Sequence, residues 1–211
     1  KKNIKILFLP NPNQPIEDNL SLNYIKKILK LCKENKILLV IDEAYHMFGS
    51  DTAINLCKNN ENILVLRTLS KSFGLPSIRF GFIVGHKKII EILNTYRLSY
   101  ESNMLTDKVV EYFIKNNKEV VKYINEVKKG RDFLIKELKK INIPSIGGKS
   151  NFLLINLKNK FLLKKIYNKF LINKIYVKSN YSGQLQYCIL ITCGRLQTMK
   201  KVLKIIKSEI K

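Results

Sequence analysis

The sequence predicts an α/β fold with a mostly parallel sheet and covering helices, followed by a small C-terminal α+β domain. In the first part of the 211-residue chain, short apolar runs alternate with stretches of helical periodicity. A segment at 142–150, which contains a proline and two adjacent glycines, then breaks the pattern. Beyond this break, strands and helices alternate in a different order. We therefore expect one domain at 1–142 and a second at 143–211.

The first domain is expected to begin with a buried strand at 4–9, which ends at a loop rich in proline. Apolar residues at helical spacing predict a helix at 20–35, with Ser21 or Asn19 as its cap. The continuously apolar run at 37–41 is typical of a strand in a parallel sheet covered on both faces. The other elements expected here are a short helical stretch at 53–58, strands at 63–66 and 80–84, and helices at 87–93, 105–115 and 118–141.

The second domain is expected to be small and to mix strands with helices. Its apolar and amphipathic runs predict a strand at 152–157, a helix at 162–173, strands at 175–177 and 187–193, and a helix at 197–210. The chain contains no internal repeat and no low-complexity tract.

The formal net charge of +23 is extreme. Such a charge is typical of proteins that bind nucleic acid or anionic membranes. The alternative is compositional drift, because lysine, asparagine and isoleucine are abundant together, as an AT-rich coding sequence would produce. The lysines are scattered, and the sequence has no RNP signature, zinc-finger spacing or arginine-rich arm. We therefore favour drift and expect no nucleic-acid partner.

Cysteines and hydrophobic runs narrow the class of protein further. The four cysteines form no CxxC pair, so we expect neither a metal site nor a disulfide framework. Unpaired cysteines are typical of a reducing compartment, and we expect a cytoplasmic protein. No run of about 18 uncharged apolar residues occurs, so we expect no membrane span.

Three polar motifs follow predicted strands of the first domain. They are Asn13 with Gln14, the segment 42–45, and the segment 68–71. In open α/β sheets, ligands bind at the carboxyl ends of the strands. The shared position of the motifs therefore predicts one site at that edge of the sheet.

The segment 68–71 has the composition of an anion site. A lysine in a turn is usually solvated, but here Thr68 and Ser70 supply two hydroxyls and Arg79 supplies a guanidinium. Together these groups can bind one phosphate. A partly desolvated lysine beside that phosphate, Lys71, can lose its proton and attack a carbonyl carbon.

Asp42 and Tyr45 each allow a structural and a functional interpretation. An aspartate at the end of an apolar strand must be hydrogen-bonded or paired, most often as a cap or in an ion pair. It can also hold a proton on a ring nitrogen. The Tyr45 phenol can pack as a half-buried residue, or it can hydrogen-bond an oxygen on the same ring. A carbonyl, a phosphate, a protonated ring nitrogen and a ring hydroxyl together describe pyridoxal phosphate (PLP).

Two motifs carry a family resemblance: DEAY at 42–45 and RTLSKSFGLPSIRFG at 67–81. They resemble the class I/II, fold-type-I PLP-dependent aminotransferases, and in particular the histidinol-phosphate aminotransferase branch. The loop PNPNQP at 10–15 resembles the family's NPNNPTG, and CILITCG at 188–194 resembles its C-terminal LRITVG strand. The resemblance implies a partial PLP-transferase fold. Residues 1–142 would be the C-terminal part of the PLP-binding large domain, the rest would be the small domain, and the sequence would be a fragment lacking the N-terminal part.

The resemblance also implies a role for each residue of the predicted site. Lys71 would form the Schiff base with PLP and later move a proton between the substrate Cα and the cofactor C4′ carbon. Asp42 would pair with the pyridinium nitrogen, and Tyr45 would donate to the ring O3′ oxygen. The phosphate would be held by Thr68, Ser70 and Arg79.

Two positions depart from the family pattern. Gln14 stands where the family has an asparagine that contacts O3′; it carries the same amide on a longer stem, and Asn13 could compensate. Leu190 stands where the family has an arginine that binds the substrate carboxylate through two hydrogen bonds, and leucine cannot make that contact. Arg195 or Lys178 could replace this arginine as the substrate-binding residue.

The resemblance implies an aminotransferase that moves an amino group between an amino acid and a keto-acid or related carbonyl. Its partners would be a small-molecule amino donor and a carbonyl acceptor, and the full-length protein would be a homodimer. Two alternatives stay open. One is a PLP-dependent decarboxylase of the same fold, motivated by Leu190. The other is an inactive fragment or basic binding protein, motivated by the charge of +23.

Overall fold

Residues 4–210 are described by the computed structural model of the chain. They divide into two units, one made of the residues up to 14 and 18–122, the other of 15–17 and the chain from 123 onward. Each unit has its own sheet. The boundary expected at 142, between the large and small domains, stays a prediction.

Four strands form the sheet of the first unit: β1 (Ile6–Pro10), β2 (Leu38–Asp42), β3 (Ile63–Thr68) and β4 (Gly81–Gly85). They lie in the order β1–β2–β3–β4. The first three are parallel, and β4 runs antiparallel to β3, so the predicted mostly parallel α/β sheet is confirmed. Pro10 pairs with Asp42, and Asp42 pairs with Leu66. The carboxyl ends of the three parallel strands therefore lie at one edge.

Helices connect these strands. Helix α1 (Leu22–Glu34) joins β1 to β2, and Ser21 caps it, since the Ser21 Oγ accepts the Tyr24 N–H at 3.4 Å. The other helices are α2 (Lys87–Asn94), α3 (Met104–Lys115) and α4 (Asn117–Lys140), with 3₁₀ turns at His46–Phe48, Ile54–Lys58 and Pro76–Ile78. Within residues 4–210, no helix combines the length and the hydrophobicity that crossing a membrane requires.

The core of the first unit lies between α1 and one face of the sheet. Ile25, Leu29 and Cys32 recur at helical spacing and are all buried. Strand residues alternate between the two faces of a sheet. The residues that point towards α1 form one apolar cluster with it: Leu39, Ile41, Ile63 and Val65, together with Ala53 and Cys57.

The second unit contains a three-stranded antiparallel sheet. Its strands are β5 (Ser145–Ile146), β6 (Phe152–Asn156) and β7 (Cys188–Thr192), in that order. Helices α5 (Lys160–Ile172) and α6 (Leu196–Glu209) accompany it, which confirms the predicted α+β arrangement. Strand β5 was not predicted, because it lies within the segment whose glycines and proline indicated a break.

Gly130 of α4 lies very close to the loop after β7. A Cβ at this position would lie 2.0 Å from the carbonyl oxygen of Gly194 and 3.1 Å from Met199 Cγ. Glycine in a helix interior is less favourable than alanine by about 1 kcal/mol. The close approach explains its presence, because any side chain here would collide with the backbone of the loop.

The strand predicted at 175–177 is wrong. The Ile175 N–H donates to the Phe170 carbonyl at 2.8 Å, so it closes the end of α5 instead of joining a sheet. The stretch then makes a single antiparallel bridge, between Lys178 and Leu190. The other predicted strands and helices are present, with ends shifted by a few residues. The first strand is not buried as predicted, because Ile6 and Phe8 of β1 are 48% and 62% exposed.

Leu29 and Leu31 offer a matched test of the core, since both lie on α1 but are 5% and 59% exposed. We expect Leu29→Ala to lower the free energy of unfolding by about 2–5 kcal/mol, because it leaves a cavity against the sheet. Leu31→Ala should change it by less than about 0.5 kcal/mol. Urea unfolding followed by circular dichroism measures both, and equal losses would contradict the assignment of the buried face.

Candidate active site

Asp42 is the last residue of β2 and lies at the carboxyl edge of the sheet. Its Oδ1 accepts the Ala44 N–H at 2.9 Å, which turns the chain directly after the strand. The carboxylate therefore has the structural use expected for such an aspartate. It also lies near enough to Tyr45 to influence the ionisation of that phenol.

Tyr45 is surrounded by polar groups of the predicted site. Burial raises the pKa of its hydroxyl, and the negative charge of Asp42 raises that pKa further, while a side-chain hydrogen bond with Gln14 lowers it. Lys71 Nζ lies 5.6 Å from the centroid of the Tyr45 ring. The structure therefore brings a carboxylate, an amide and an amine together around the Tyr45 phenol.

The loop after β1, which presents Gln14, is held by two asparagines. The buried Asn11 side chain accepts the Leu20 N–H at 2.7 Å and donates to the Leu20 carbonyl at 3.2 Å. The Asn13 N–H donates to the Asp18 carbonyl at 2.9 Å. Asn13 thus contributes to the loop through its backbone. Asn11 was not predicted, although a buried asparagine in a loop is a common way to satisfy backbone groups.

Thr68 and Ser70 come together at the end of β3. Their Oγ atoms are 2.9 Å apart, and the Ser70 N–H donates to Thr68 Oγ1 at 3.1 Å. The next residue is Lys71, whose carbonyl accepts the Gly74 N–H at 3.2 Å and so closes the turn. The predicted pair of hydroxyls is therefore present beside the predicted lysine.

Arg79 is not joined to these hydroxyls. Its backbone adopts the left-handed conformation, with φ of 55°. Its Nη1 donates a hydrogen bond to the Pro76 carbonyl at 3.0 Å. The side chain is exposed, and within residues 4–210 no hydrogen bond links it to Thr68 or Ser70. A place for Arg79 in a phosphate site stays a prediction.

A buried ion pair that was not predicted joins the ends of β2 and β3. Arg67 Nε and Nη2 lie 2.8 and 2.7 Å from Glu43 Oε2. Thr52 Oγ1 donates to the same oxygen at 2.9 Å and accepts from Arg67 Nη2 at 2.8 Å. The Ala53 N–H donates to Glu43 Oε1 at 2.6 Å. The Glu43 carboxylate is fully buried, and both of its oxygens accept hydrogen bonds.

The sequence carried a signal for this pair. Residues of opposite charge occur at the ends of neighbouring strands: Glu43 directly follows β2, and Arg67 is the next-to-last residue of β3. Because Asp42 pairs with Leu66, the next residue on each strand falls side by side. Without the register of the two strands, however, the signal cannot be distinguished from two unrelated charges.

Lys178 and Arg195 both lie in the second unit. Lys178 and Leu190 exchange two backbone hydrogen bonds, of 3.3 and 2.8 Å. Lys178 Nζ lies 5.4 Å from the centroid of the Tyr181 ring, and the buried Tyr181 hydroxyl has no hydrogen-bond partner in residues 4–210. Arg195 Nε instead pairs with Glu126 Oε2 at 2.7 Å. Lys178 is thus the direct neighbour of Leu190, the position at which the family resemblance implies an arginine.

Comparison with known proteins gives one family. A family model described as aminotransferase class I and II matches residues 1–206. The histidinol-phosphate aminotransferase of Clostridium botulinum (strain Okra / Type B1) is 39% identical over 150 residues, which cover 70% of this chain and 42% of that protein. The enzyme of the same name from Thermoanaerobacter pseudethanolicus is 35% identical over 152 residues, with coverage of 72% and 42%. The chain therefore spans about two-fifths of the length of the curated relatives it matches.

Solved structures show the same fold. The histidinol-phosphate aminotransferase of Clostridium acetobutylicum matches with a TM-score of 0.87 at 24% identity, covering 99% of this chain and 64% of that one. The L-threonine-O-3-phosphate decarboxylase of Porphyromonas gingivalis matches with a TM-score of 0.82 at 18% identity, covering 97% and 64%. The family model spans nearly the whole sequence and the fold agrees with it, so the chain belongs to the aminotransferase class I and II family.

Proposed function

We propose that the protein is a PLP-dependent aminotransferase of the histidinol-phosphate type. It would transfer an amino group between an amino acid and a keto-acid or related carbonyl, both of them small molecules. One observation carries this proposal: the Lys71 amine, the Asp42 carboxylate and the Gln14 amide all lie around Tyr45. The names of the matching relatives support the same reaction class.

The groups around Tyr45 fit the ring of PLP. The Asp42 carboxylate can hold a proton on a pyridine nitrogen, and the Tyr45 hydroxyl and Gln14 amide can hydrogen-bond a ring hydroxyl oxygen. Asn13 supports this contact by closing the loop that carries Gln14. The negative charge of Asp42 and the burial of Tyr45 raise the pKa of the phenol, so it stays protonated and can donate.

The turn after β3 fits the phosphate and the aldehyde. The Ser70 hydroxyl can donate to a phosphate oxygen, and the Thr68 hydroxyl can do so by leaving its present acceptors, Ser70 Oγ and the Phe80 carbonyl. We propose that Arg79 joins them with its exposed guanidinium. The half-buried Lys71 amine can bond to the aldehyde carbon. PLP, when bound, supplies an electron sink for the negative charge that develops at the substrate Cα.

Lys71 has two tasks in this proposal. Its Nζ would hold the cofactor at the aldehyde carbon, whose oxygen would leave as water. As a free amine it would move a proton between the substrate Cα and the C4′ carbon. The Tyr45 ring, whose centroid is 5.6 Å from Nζ, restricts where the amine can move.

Lys178 is our candidate for binding the substrate carboxylate. Side chains directly opposite on antiparallel strands lie on the same face with Cβ atoms about 4.5–5.5 Å apart, so Lys178 can place a cation over Leu190. Burial raises the pKa of the Tyr181 hydroxyl, which is therefore a protonated donor without a partner beside this amine. Arg195 is the weaker candidate, because Glu126 already neutralises it.

A decarboxylase of the same fold is the second candidate. It is favoured by Leu190, since a lysine holds a carboxylate by one contact where an arginine would hold it by two. A structural neighbour named L-threonine-O-3-phosphate decarboxylase has this fold. Product analysis separates the two: an aminotransferase releases a new keto compound, and a decarboxylase releases carbon dioxide.

We also propose that the protein acts as a homodimer in the cytoplasm. The family resemblance supports the dimer. All four cysteines are free and buried, which suits a reducing compartment.

The bond to Lys71 can be tested directly. We expect the intact protein mixed with PLP to develop a visible absorbance band, and borohydride to trap the cofactor on Lys71, as identified by peptide mass spectrometry. Lys71→Arg keeps the charge but should abolish both signals, whereas Lys26→Ala, a change at an exposed lysine of α1, should leave them intact. Trapping of PLP elsewhere with equal yield in Lys71→Arg would rule out the assignment.

The contact between Asp42 and Tyr45 predicts a pH effect. Because the Asp42 carboxylate disfavours the phenolate, we expect Asp42→Asn to lower the pKa of Tyr45. Carbon-13 NMR of protein with labelled tyrosines measures this pKa, with Tyr45→Phe identifying the signal. Asp51→Asn, at an exposed aspartate, is the control and should cause no shift. An unchanged Tyr45 pKa in Asp42→Asn would show that the two groups are not neighbours.

The role of Lys178 predicts a change in KM. We expect Lys178→Ala to raise the KM for an α-amino acid roughly tenfold, on the scale of one lost charge-assisted hydrogen bond. The KM for the matching amino alcohol, which has no carboxylate, should stay the same. Leu190→Arg should lower the KM for the amino acid, and Lys164→Ala is the control. An equal rise for both substrates would argue against a carboxylate contact.

A further inference from the structure

The ion pair between Glu43 and Arg67 takes no part in binding or proton transfer as proposed above. Its side chains are only 0% and 14% exposed. Buried ion pairs contribute little net stability compared with apolar replacements of similar volume, since desolvation offsets their attraction. Stability alone therefore does not account for this pair.

Several hydrogen bonds fix the orientation of both side chains of the pair. Arginine presents its donors in a planar fork, and two of them are within 2.8 Å of Glu43 Oε2. The other carboxylate oxygen accepts the Ala53 N–H, and Thr52 bonds to both charged partners. All of these hydrogen bonds hold the Glu43 and Arg67 side chains. Because each side chain is attached to its strand end, the backbone at both positions is held in place too.

Glu43 and Arg67 lie beside the two turns that carry the candidate site, so restricting their backbones also restricts those turns. Glu43 lies between Asp42 and the turn to Tyr45, and its N–H donates to the Leu66 carbonyl at 3.0 Å. Arg67 lies directly before Thr68, at the start of the turn that carries Lys71. The ion pair therefore joins the turn that holds the carboxylate and phenol to the turn that holds the amine.

We infer that Glu43 and Arg67 are positioning residues, whose ion pair sets the distance between the Lys71 amine and the Tyr45 ring. The inference rests on the proposed function. An amine that must bond to one carbon and move a proton at another needs accurate placement, because a displacement of about 1 Å can cost on the order of 100-fold in rate.

The position of Lys71 can be measured without any cofactor. Methylene protons of a lysine over an aromatic ring are shifted upfield in NMR spectra, and Lys71→Arg identifies the signal. We expect the double variant Glu43→Gln/Arg67→Met to lose this shift and to bond PLP roughly 10- to 100-fold more slowly. The double variant removes both charges, so no unpaired ion is left buried.

An exposed pair supplies the matched control. Arg97 and Glu101 are 58% and 42% exposed and form an ion pair of the same kind. Glu101→Gln/Arg97→Met should leave both the shift and the rate unchanged. If the Glu43/Arg67 double variant does not fold, Arg67→Lys replaces it, since it keeps the charge and removes the fork.

The outcomes separate the inference from the proposed function. A folded Glu43/Arg67 variant with the wild-type shift and the wild-type rate overturns the inference. The same holds for an unchanged shift in Arg67→Lys. If the wild-type protein never bonds PLP at Lys71, the proposed function fails, and the shift alone then decides whether the ion pair positions Lys71.

Discussion

The parallel register of β1, β2 and β3 is the constraint on which the candidate site depends. Pro10 stands opposite Asp42 and Asp42 opposite Leu66, so three loops leave the sheet at the same level. A shift of one residue between parallel strands would send their side chains to the opposite face. The same register puts Glu43 beside Arg67. The arrangement of the candidate site and the buried ion pair are therefore two results of one alignment of strands, whose apolar residues pack under α1.

The buried charged side chains within residues 4–210, Glu43 and Arg131, both have bonding partners. The described residues that bury charge do so with compensation: Glu43 is bonded to Arg67, and the 5% exposed Arg131 donates to the Ser150 carbonyl at 2.8 Å and pairs with Asp132 at 2.9 Å. Most lysines are exposed, where water and salt screen them. The net charge of +23 therefore resides mainly on exposed side chains.

Much of the fold was predictable, because patterns of apolar residues depend directly on burial. Apolar residues at helical spacing predicted α1, and a continuous apolar run predicted β2. The motifs also placed Asp42, Tyr45 and Lys71 correctly at strand ends. Four features escaped prediction for physical reasons. Residues 175–177 have strand-like composition, but their backbone closes a helix end, which composition does not encode. Strand β5 is too short to have a period. The partnership of Glu43 with Arg67 depends on register, and the contacts of Arg79 depend on a left-handed turn.

Gly130 limits how the second unit can change in evolution or in the laboratory. Since a methyl group there would overlap the Gly194 carbonyl oxygen, every substitution must displace either α4 or the loop that leads into α6. Arg195, the first residue past that loop glycine, would move with it. Saturation mutagenesis at this codon should therefore return glycine almost alone, and a random library would mark the position as intolerant although it bears no chemistry of its own.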